Sequence, residues 1–214
     1  MPAARKRLIP TEADVNPSPK KDGADGVRAQ QAQATRRALV EAARELFTER
    51  GYHNVGIREF AAKANVTRGA LYHHFGDKES LFLAVFDAVE REMMGEGAQR
   101  RRAKSSDDAW TQFKRGIQAY LDAVMRPEVQ RITLIDGPAV LGWARWRKLE
   151  EGYGLGGITN VLEGAMKDGL IRQQPVEPLA HLLLGSVMEA ALLSPTRTSP
   201  GSDARKWARP WTAC

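Results

Sequence analysis

The sequence predicts an all-α protein, because apolar residues recur at spacings of three and four in most segments after residue 34. No segment alternates apolar and polar residues for long enough to indicate a β-strand. Glycine or proline falls between the helical segments, as at Gly51, Pro127 and Gly169, where these residues are typical of helix ends. We expect an N-terminal group of three helices followed by a larger helical domain.

Composition limits the classes of protein that this chain can represent. The 214 residues are 43% hydrophobic, which is enough to build a core, and carry a net charge of +6. The charge suggests a polyanionic partner, although an ordinary basic soluble protein would also have it. The one cysteine, Cys214, excludes an intrachain disulfide and a cysteine-based zinc site. With no apparent secretory signal or membrane-spanning run, we expect a cytoplasmic protein without a membrane partner.

Residues 1–33 are expected to form a disordered basic tail. They contain four prolines, the basic clusters at 5–7 and 20–21, and little apolar material. Such a tail either attracts phosphates or is merely solvated.

Residues 34–82 predict short helices in the order of a helix-turn-helix module. The first helix, from Thr35, presents one apolar stripe and ends at Gly51. The second runs from Ile57 to about residue 64, before a left-handed turn at Asn65. The third starts after Thr67 as its N-cap. Asp77 is expected to cap a long fourth helix.

The third helix is predicted to turn Leu71 and Phe75 inward and to leave a polar face exposed. Arg68 on that face can donate two hydrogen bonds to a guanine edge, and the small Gly69 allows close approach to the groove. Tyr72, His73 and the nearby Lys78 can reach phosphates. This face predicts binding to double-stranded DNA.

His73 and His74 are adjacent in the sequence and therefore point about 100° apart on a helix. They cannot chelate one metal ion as an i, i+4 pair could. We expect His73 at the DNA surface, His74 packed against the first or fourth helix, and neither a metal nor a cofactor.

Residues 35–82 resemble the DNA-binding domain of the TetR/AcrR family of transcriptional regulators. The resemblance includes A-x-x-L-F-x-x-x-G-Y from Ala43 to Tyr52, the segment IREFAAKANV, and L-Y-x-H-F-x-x-K-x-x-L from Leu71 to Leu81. One departure is Gly56, where the family usually has a threonine or serine that caps the second helix and touches phosphate. The expected DNA contacts are Thr67, Arg68, Gly69, Tyr72, His73, Lys78 and Arg58.

The resemblance implies that residues 83–193 form a helical ligand-binding and dimerisation domain. It also implies a homodimer on a palindromic operator, with a small hydrophobic effector. The segment at 131–158 is similar to a subgroup of such regulators. Five aromatic residues could line an apolar effector pocket, although aromatic residues at helical spacing more often form core. These residues are Trp110, Phe113, Tyr120, Trp143 and Trp146.

No catalytic constellation is evident, and we expect no enzyme activity. The glycine cluster GYGLGG at 152–157 follows a predicted helix rather than a strand, unlike a nucleotide-binding loop. The segment LGSVM around Ser186 lacks the second glycine of a nucleophile elbow.

Residues 194–214 form an atypical C-terminal tail, expected to be disordered, where the family has a last long helix. Three prolines interrupt this segment. Residues 204–214 can be written as a nucleotide sequence whose codons end in G or C. The same bases, read one base back, encode AEVGAALDGV, which is amphipathic. This predicts a frameshift near residue 193, and a natural variant tail is the alternative. The gene's nucleotide sequence distinguishes the two.

The function expected from these features is that of a ligand-responsive transcriptional repressor. The alternative is an all-α small-molecule-binding or scaffold protein that has lost DNA binding.

Overall fold

The computed structural model describes residues 22–102 and 108–193, and within these two ranges all regular structure is helical, which confirms the all-α prediction. A 3-10 turn at Tyr52–Asn54 follows the first helix, and a π-helical segment at Gln130–Asp136 joins the sixth to the seventh. The helices are α1 (Asp22–Arg50), α2 (Ile57–Lys63), α3 (Arg68–Phe75), α4 (Lys78–Arg102), α5 (Ala109–Val124), α6 (Pro127–Val129), α7 (Gly137–Leu141), α8 (Trp143–Lys167) and α9 (Val176–Leu193).

An aromatic cluster at Phe47 holds the N-terminal helices together. The Phe47 ring lies 5.0 Å from that of Phe60 on α2 and 5.3 Å from that of Phe82 on α4, both edge to face. Leu71 of α3 is also fully buried in this core. The long helix α4 therefore starts as part of the N-terminal core and continues into the larger domain.

The start of α1 differs from the prediction. The structure begins this helix at Asp22 rather than near Thr35, so the expected disordered tail is wrong for residues 22–33. The segment at 27–38 has no apolar stripe, but it is rich in alanine, glutamine and arginine, whose intrinsic helix propensity is high. Residues 1–21 and 194–214, where the remaining tail predictions fall, lie outside the described residues.

The larger domain packs α5 against α4 and α8, and α9 against α8 and α5. The π-helical segment contacts both α1 and α4, which places it at the junction with the N-terminal helices. The core of the molecule is continuous across this junction, from Phe47 through Val85 to Ile132.

The helix boundaries around the glycine cluster also differ from the prediction. Helix α7 ends before Gly142, where φ is +77°, and α8 begins at the next residue. In contrast, α8 runs without a break through 152–157, where the sequence suggested the end of a helix. One glycine there has a packing role, because a Cβ at Gly154 would lie 2.7 Å from Cδ1 of Leu184 on α9.

Helix α9 is the most apolar described helix. Its 18 residues have a mean hydropathy of 1.4, so it is long and apolar enough to cross a bilayer, and 28% of it is buried. The core helix of a soluble protein meets the same criteria. Here Ala180, Leu184 and Met188 are buried, whereas Leu182 and Leu193 are exposed.

Candidate nucleic-acid interface and effector cavity

The turn between α2 and α3 depends on the left-handed backbone of Asn65 and on the N-cap residue Thr67. Asn65 adopts the left-handed conformation with φ of 54°, as the sequence predicts. The Thr67 hydroxyl then accepts a hydrogen bond from the amide of Ala70 at 3.1 Å and caps α3. This fixes where α3 begins and therefore which of its residues face solvent.

Helix α3 has the two faces that the sequence predicts. Leu71 and Phe75 are buried, whereas Arg68, Gly69 and His73 are exposed, and Tyr72 retains 45% of its accessible surface. Nothing lies closer than 3.8 Å to the position of a Cβ at Gly69, so the surface there is open. The exposed face offers donors and little bulk, which suits entry into a major groove.

The two histidines lie on different sides of α3. Their rings are 5.5 Å apart at centroids and inclined at 67°. His73 is exposed, whereas His74 is half-buried with its ring 6.5 Å from that of Phe75.

The N-terminus of α2 is capped by a residue that sequence reasoning missed. The amide of Gly56 donates to Oε2 of Glu59 at 2.9 Å, and Glu59 also pairs with Arg50 of α1. The hydrogen bond from Gly56, followed by that from Arg50, lowers the pKa of Glu59. The sequence contained a signal for this cap: Glu59 follows the N-cap Gly56 by three residues, the spacing of a capping box, with glycine in the place of serine or threonine. Arg58, the predicted DNA contact on α2, is exposed beside this cap.

Lys78 occupies the first position of α4, three residues after the end of α3. Its Nζ lies 4.2 Å from the centroid of the Tyr52 ring, within the range of a cation–π contact. The side chain is half-buried, and this burial lowers its pKa. Lys78 therefore joins the start of α4 to the turn after α1.

A second junction contact joins this turn to the π-helical segment. The buried Asp136 accepts a hydrogen bond from the amide of Tyr52 at 2.8 Å and another from Nε of Arg131 at 3.2 Å. The guanidinium of Arg131 lies against Gly51 so closely that a Cβ there would overlap it. Nothing in the sequence pattern singled out Asp136, because its partner is 84 residues away.

The larger domain contains a cavity of about 460 Å³, a size that suits a small organic molecule. Its walls come from α4, α5, α8 and α9, and most of its lining is apolar. The apolar side chains in the lining are Met93, Met94, Ile117, Ile158, Val161, Leu184 and Val187.

Of the five aromatic residues predicted for an effector pocket, Tyr120 lines this cavity. The prediction is wrong for Trp146, which is fully buried in the core and donates from Nε1 to the carbonyl of Thr133 at 2.8 Å. It is also wrong for Trp143, which is 59% exposed with its ring 4.8 Å from that of Trp146. The side chains of Trp110 and Phe113 lie outside the described residues. Helical spacing indicated a shared face, but it could not separate core from cavity.

Two buried carboxyl groups face the cavity, and sequence reasoning missed both. Glu90 on α4 is 1% exposed and Glu150 on α8 is 4% exposed. Burial raises the pKa of Glu90 well above its usual range, and repulsion from Glu150 adds to the effect. Burial likewise raises the pKa of Glu150 to about 7, against a smaller opposing effect of Arg147.

This geometry defines a helix-turn-helix DNA-binding protein with a separate small-molecule cavity. Comparison with known sequences supports the same class in both halves of the chain. Residues 39–85 match the family model "Bacterial regulatory proteins, tetR family", and residues 110–209 match "Tetracyclin repressor-like, C-terminal domain". The chain belongs to the TetR family and is a DNA-binding transcriptional regulator. The scaffold alternative is not favoured.

Individual relatives agree with this assignment. The transposon Tn10 TetC protein of Escherichia coli is 27% identical over 159 residues, which span 74% of this chain and 79% of that protein. The HTH-type transcriptional repressor AcnR of Corynebacterium efficiens is 29% identical over 160 residues, 72% of this chain and 78% of its own length.

Solved structures share the fold. A TetR-family transcriptional regulator from Pectobacterium atrosepticum superposes with a TM-score of 0.69 at 33% identity, covering 86% of this chain and 91% of its own. FadR of Bacillus subtilis, crystallised with stearoyl-CoA, superposes with a TM-score of 0.60 at 18% identity, covering 73% of this chain and 84% of its own. At that identity the second likeness concerns the fold alone.

Proposed function

We propose that this regulator is a homodimeric repressor that binds a palindromic operator in double-stranded DNA and releases it when an effector fills the cavity. The observation that supports this most directly is the exposed face of α3, which combines Arg68, Gly69, Tyr72 and His73 on a helix fixed from behind by Leu71. In this proposal Arg68 reads a base edge, while Tyr72 contacts the phosphate backbone.

The remaining DNA contacts follow from the position of α3. Thr67 at its N-terminus, Arg58 on α2 and Lys78 at the start of α4 lie on the elements that flank the helix. Phosphate contacts from these elements would set the register of α3 in the groove. Residues 34–82 accordingly act as the DNA-binding domain in this proposal, and residues 83–193 as the effector and dimerisation domain.

Helix α9 supports the proposal of a homodimer. Its exposed leucines, Leu182 at 70% and Leu193 at 55%, leave apolar surface open to solvent. Pairing this surface with a second copy would remove it from water and hold two copies of α3 at a fixed separation. A soluble dimer of this kind resides in the cytoplasm with the DNA it binds.

Helix α4 supports coupling between the cavity and the DNA-binding face. Glu90 and Met93 on α4 line the cavity, and the same helix begins at Lys78 beside Tyr52. Asp136 ties the turn at Tyr52 to the larger domain. An effector that shifts α4 would therefore change the orientation of α3 and the spacing of the two reading helices.

The test is a selection of genomic DNA fragments on the purified protein at about 150 mM salt, followed by sequencing. We expect a palindrome whose half-sites are about one helical turn apart. An Arg68→Ala, Tyr72→Ala double variant is the control and should enrich nothing. Failure of the folded wild-type protein to enrich any sequence would overturn the proposal.

A further inference from the structure

The buried carboxyl groups of the cavity lack partners that buried polar atoms normally have. Neither oxygen of Glu90, nor Oε1 of Glu150, has a hydrogen-bond partner within residues 22–102 and 108–193. Both side chains are more than nine-tenths buried and line the same cavity. Because buried polar groups are almost always hydrogen-bonded, these oxygens are placed to accept hydrogen bonds from a ligand.

The groups around the two carboxyls lie on three helices. Tyr120 of α5 lines the cavity with both carboxyls, and its burial, followed by the charges of Glu150 and Glu90, raises the pKa of its hydroxyl. Tyr153 of α8 also lines the cavity, and its hydroxyl donates to Asp87. Arg147 of α8 is a cation whose charge acts on Glu150, but its side chain contacts Glu151 and Met188.

The sign of the charge in the cavity selects the class of ligand. The described lining contains two acidic side chains and no lysine or arginine. An anionic ligand would meet two carboxyls without a compensating cation, which is unfavourable in a site with few polar groups. A ligand with a protonated nitrogen would instead satisfy both carboxyls through charge-assisted hydrogen bonds.

We propose that Glu90 and Glu150 together bind the protonated nitrogen of an amphipathic amine whose apolar body fills the rest of the cavity. This assignment rests on the proposed role of the cavity as the effector site and specifies its ligand class. Since Glu90 belongs to α4 and Glu150 to α8, the nitrogen would draw these two helices toward a common point. The ammonium would also favour the ionised carboxylates, so binding should release protons to the buffer.

The experiment compares three probes with the same ten-carbon chain: decylamine, decan-1-ol and decanoate, each below its micelle concentration. Binding to the full chain is measured by isothermal titration calorimetry, without DNA, in two buffers of different ionisation enthalpy. We expect decylamine to bind at least about tenfold more tightly than either other probe. Only its enthalpy should depend on the buffer, as proton release requires.

The variant Glu90→Gln, Glu150→Gln keeps the shape of both side chains and removes their charge. It should lose the preference for decylamine while still binding decan-1-ol, whereas Glu163→Gln, an exposed change on α8, should behave as wild type. Equal binding of the three wild-type probes, or tighter binding of decanoate, would overturn the assignment. An undiminished preference in the double variant would also do so.

The same probes separate this inference from the proposed function. If decylamine binds but does not release the selected DNA fragment, the ligand assignment holds and the repressor mechanism fails. If the fragment is bound specifically but the wild-type protein shows no amine preference, the ligand assignment fails alone.

Discussion

In the proposed DNA-binding mode, the exposed side chains of α3 divide into those that read base edges and those that contact the phosphate backbone. Arg68 can make paired hydrogen bonds to one base, whereas Tyr72 is placed to contact the backbone. The exposure of both residues could be predicted from the sequence, because burying Leu71 and Phe75 determines which residues of α3 remain exposed. The roles of Glu90 and Asp136 could not be predicted, since they come from burial or from a distant contact that the helical pattern does not encode. Glu59 differs, because its spacing from Gly56 is a local capping signal.

Substituting Arg68 and Tyr72 should have different effects on DNA binding. Arg68→Ala should relax the preference at one base pair of each half-site by about 1–3 kcal/mol, because the bidentate contact is lost. Tyr72→Ala should weaken binding to all sequences alike. Titration of fragments with single base changes measures both effects, with Arg172→Ala, an exposed change in the turn before α9, as the control. A uniform loss of affinity for Arg68→Ala, with base preference intact, would contradict the assignment.

The buried carboxyls should make stability depend on pH. The pKa of Glu150 rises to about 7 in the folded chain from 4.5, and that of Glu90 also rises. Between about pH 4.5 and about pH 7, the folded chain therefore binds more protons than the unfolded chain. The free energy of unfolding should fall as pH rises from about 4.5 to about 7, by about 3 kcal/mol from Glu150.

Urea denaturation at about pH 5 and about pH 8 measures this effect. The variant Glu90→Gln, Glu150→Gln should lose the fall in stability across this range and should be more stable than wild type at the higher pH. Glu163→Gln serves as the exposed control. Identical pH profiles for the wild-type and double-variant proteins would show that the carboxyls are not held in the protonated form.

At the scale of helices, the sequence predicts most helix ends of the N-terminal module. It predicts fewer of the helix ends in the larger domain. Gly51, Asn65 and Thr67 carry strong local signals, and the structure uses each as predicted. The glycine cluster at 152–157 suggested the end of a helix, but α8 continues through it. We attribute this to the close packing of Gly154 against Leu184, which outweighs the low helix propensity of glycine. The early start of α1 could not be predicted from periodicity, because residues 26–34 are all exposed and therefore have no apolar stripe.

Two glycines of α8 test this explanation. Gly156→Ala should raise the free energy of unfolding by about 0.5–1 kcal/mol, because nothing lies within 4 Å of its Cβ position. Gly154→Ala should give a smaller gain or a loss, since the new methyl group meets Leu184. Urea denaturation of the two variants compares them directly. Equal gains at both positions would mean that close packing of α8 and α9 does not require Gly154.

At the scale of the whole molecule, one long helix joins the DNA-binding module to the domain that contains the cavity. Helix α4 starts at the DNA-binding module and ends beside the cavity, and the buried Asp136 holds the junction. The all-α class and the two-part architecture could be predicted from the sequence. A pocket in the larger domain was expected, but most of its lining could not be predicted, because its walls come from four helices whose relative placement depends on packing. The C-terminal family match continues to residue 209, so similarity to the family extends into the segment that the sequence marks as atypical.

The most direct test of paired DNA reading is the affinity of the purified chain for the selected palindrome and for the same fragment with one half-site scrambled. Fluorescence anisotropy at about 50 mM and about 200 mM salt provides both affinities. We predict that the intact palindrome binds at least about 100-fold more tightly than the single half-site, and that its affinity falls by about 10³-fold or more across this salt range. Equal affinity for the two fragments, or an affinity insensitive to salt, would contradict the reading of DNA by paired copies of α3.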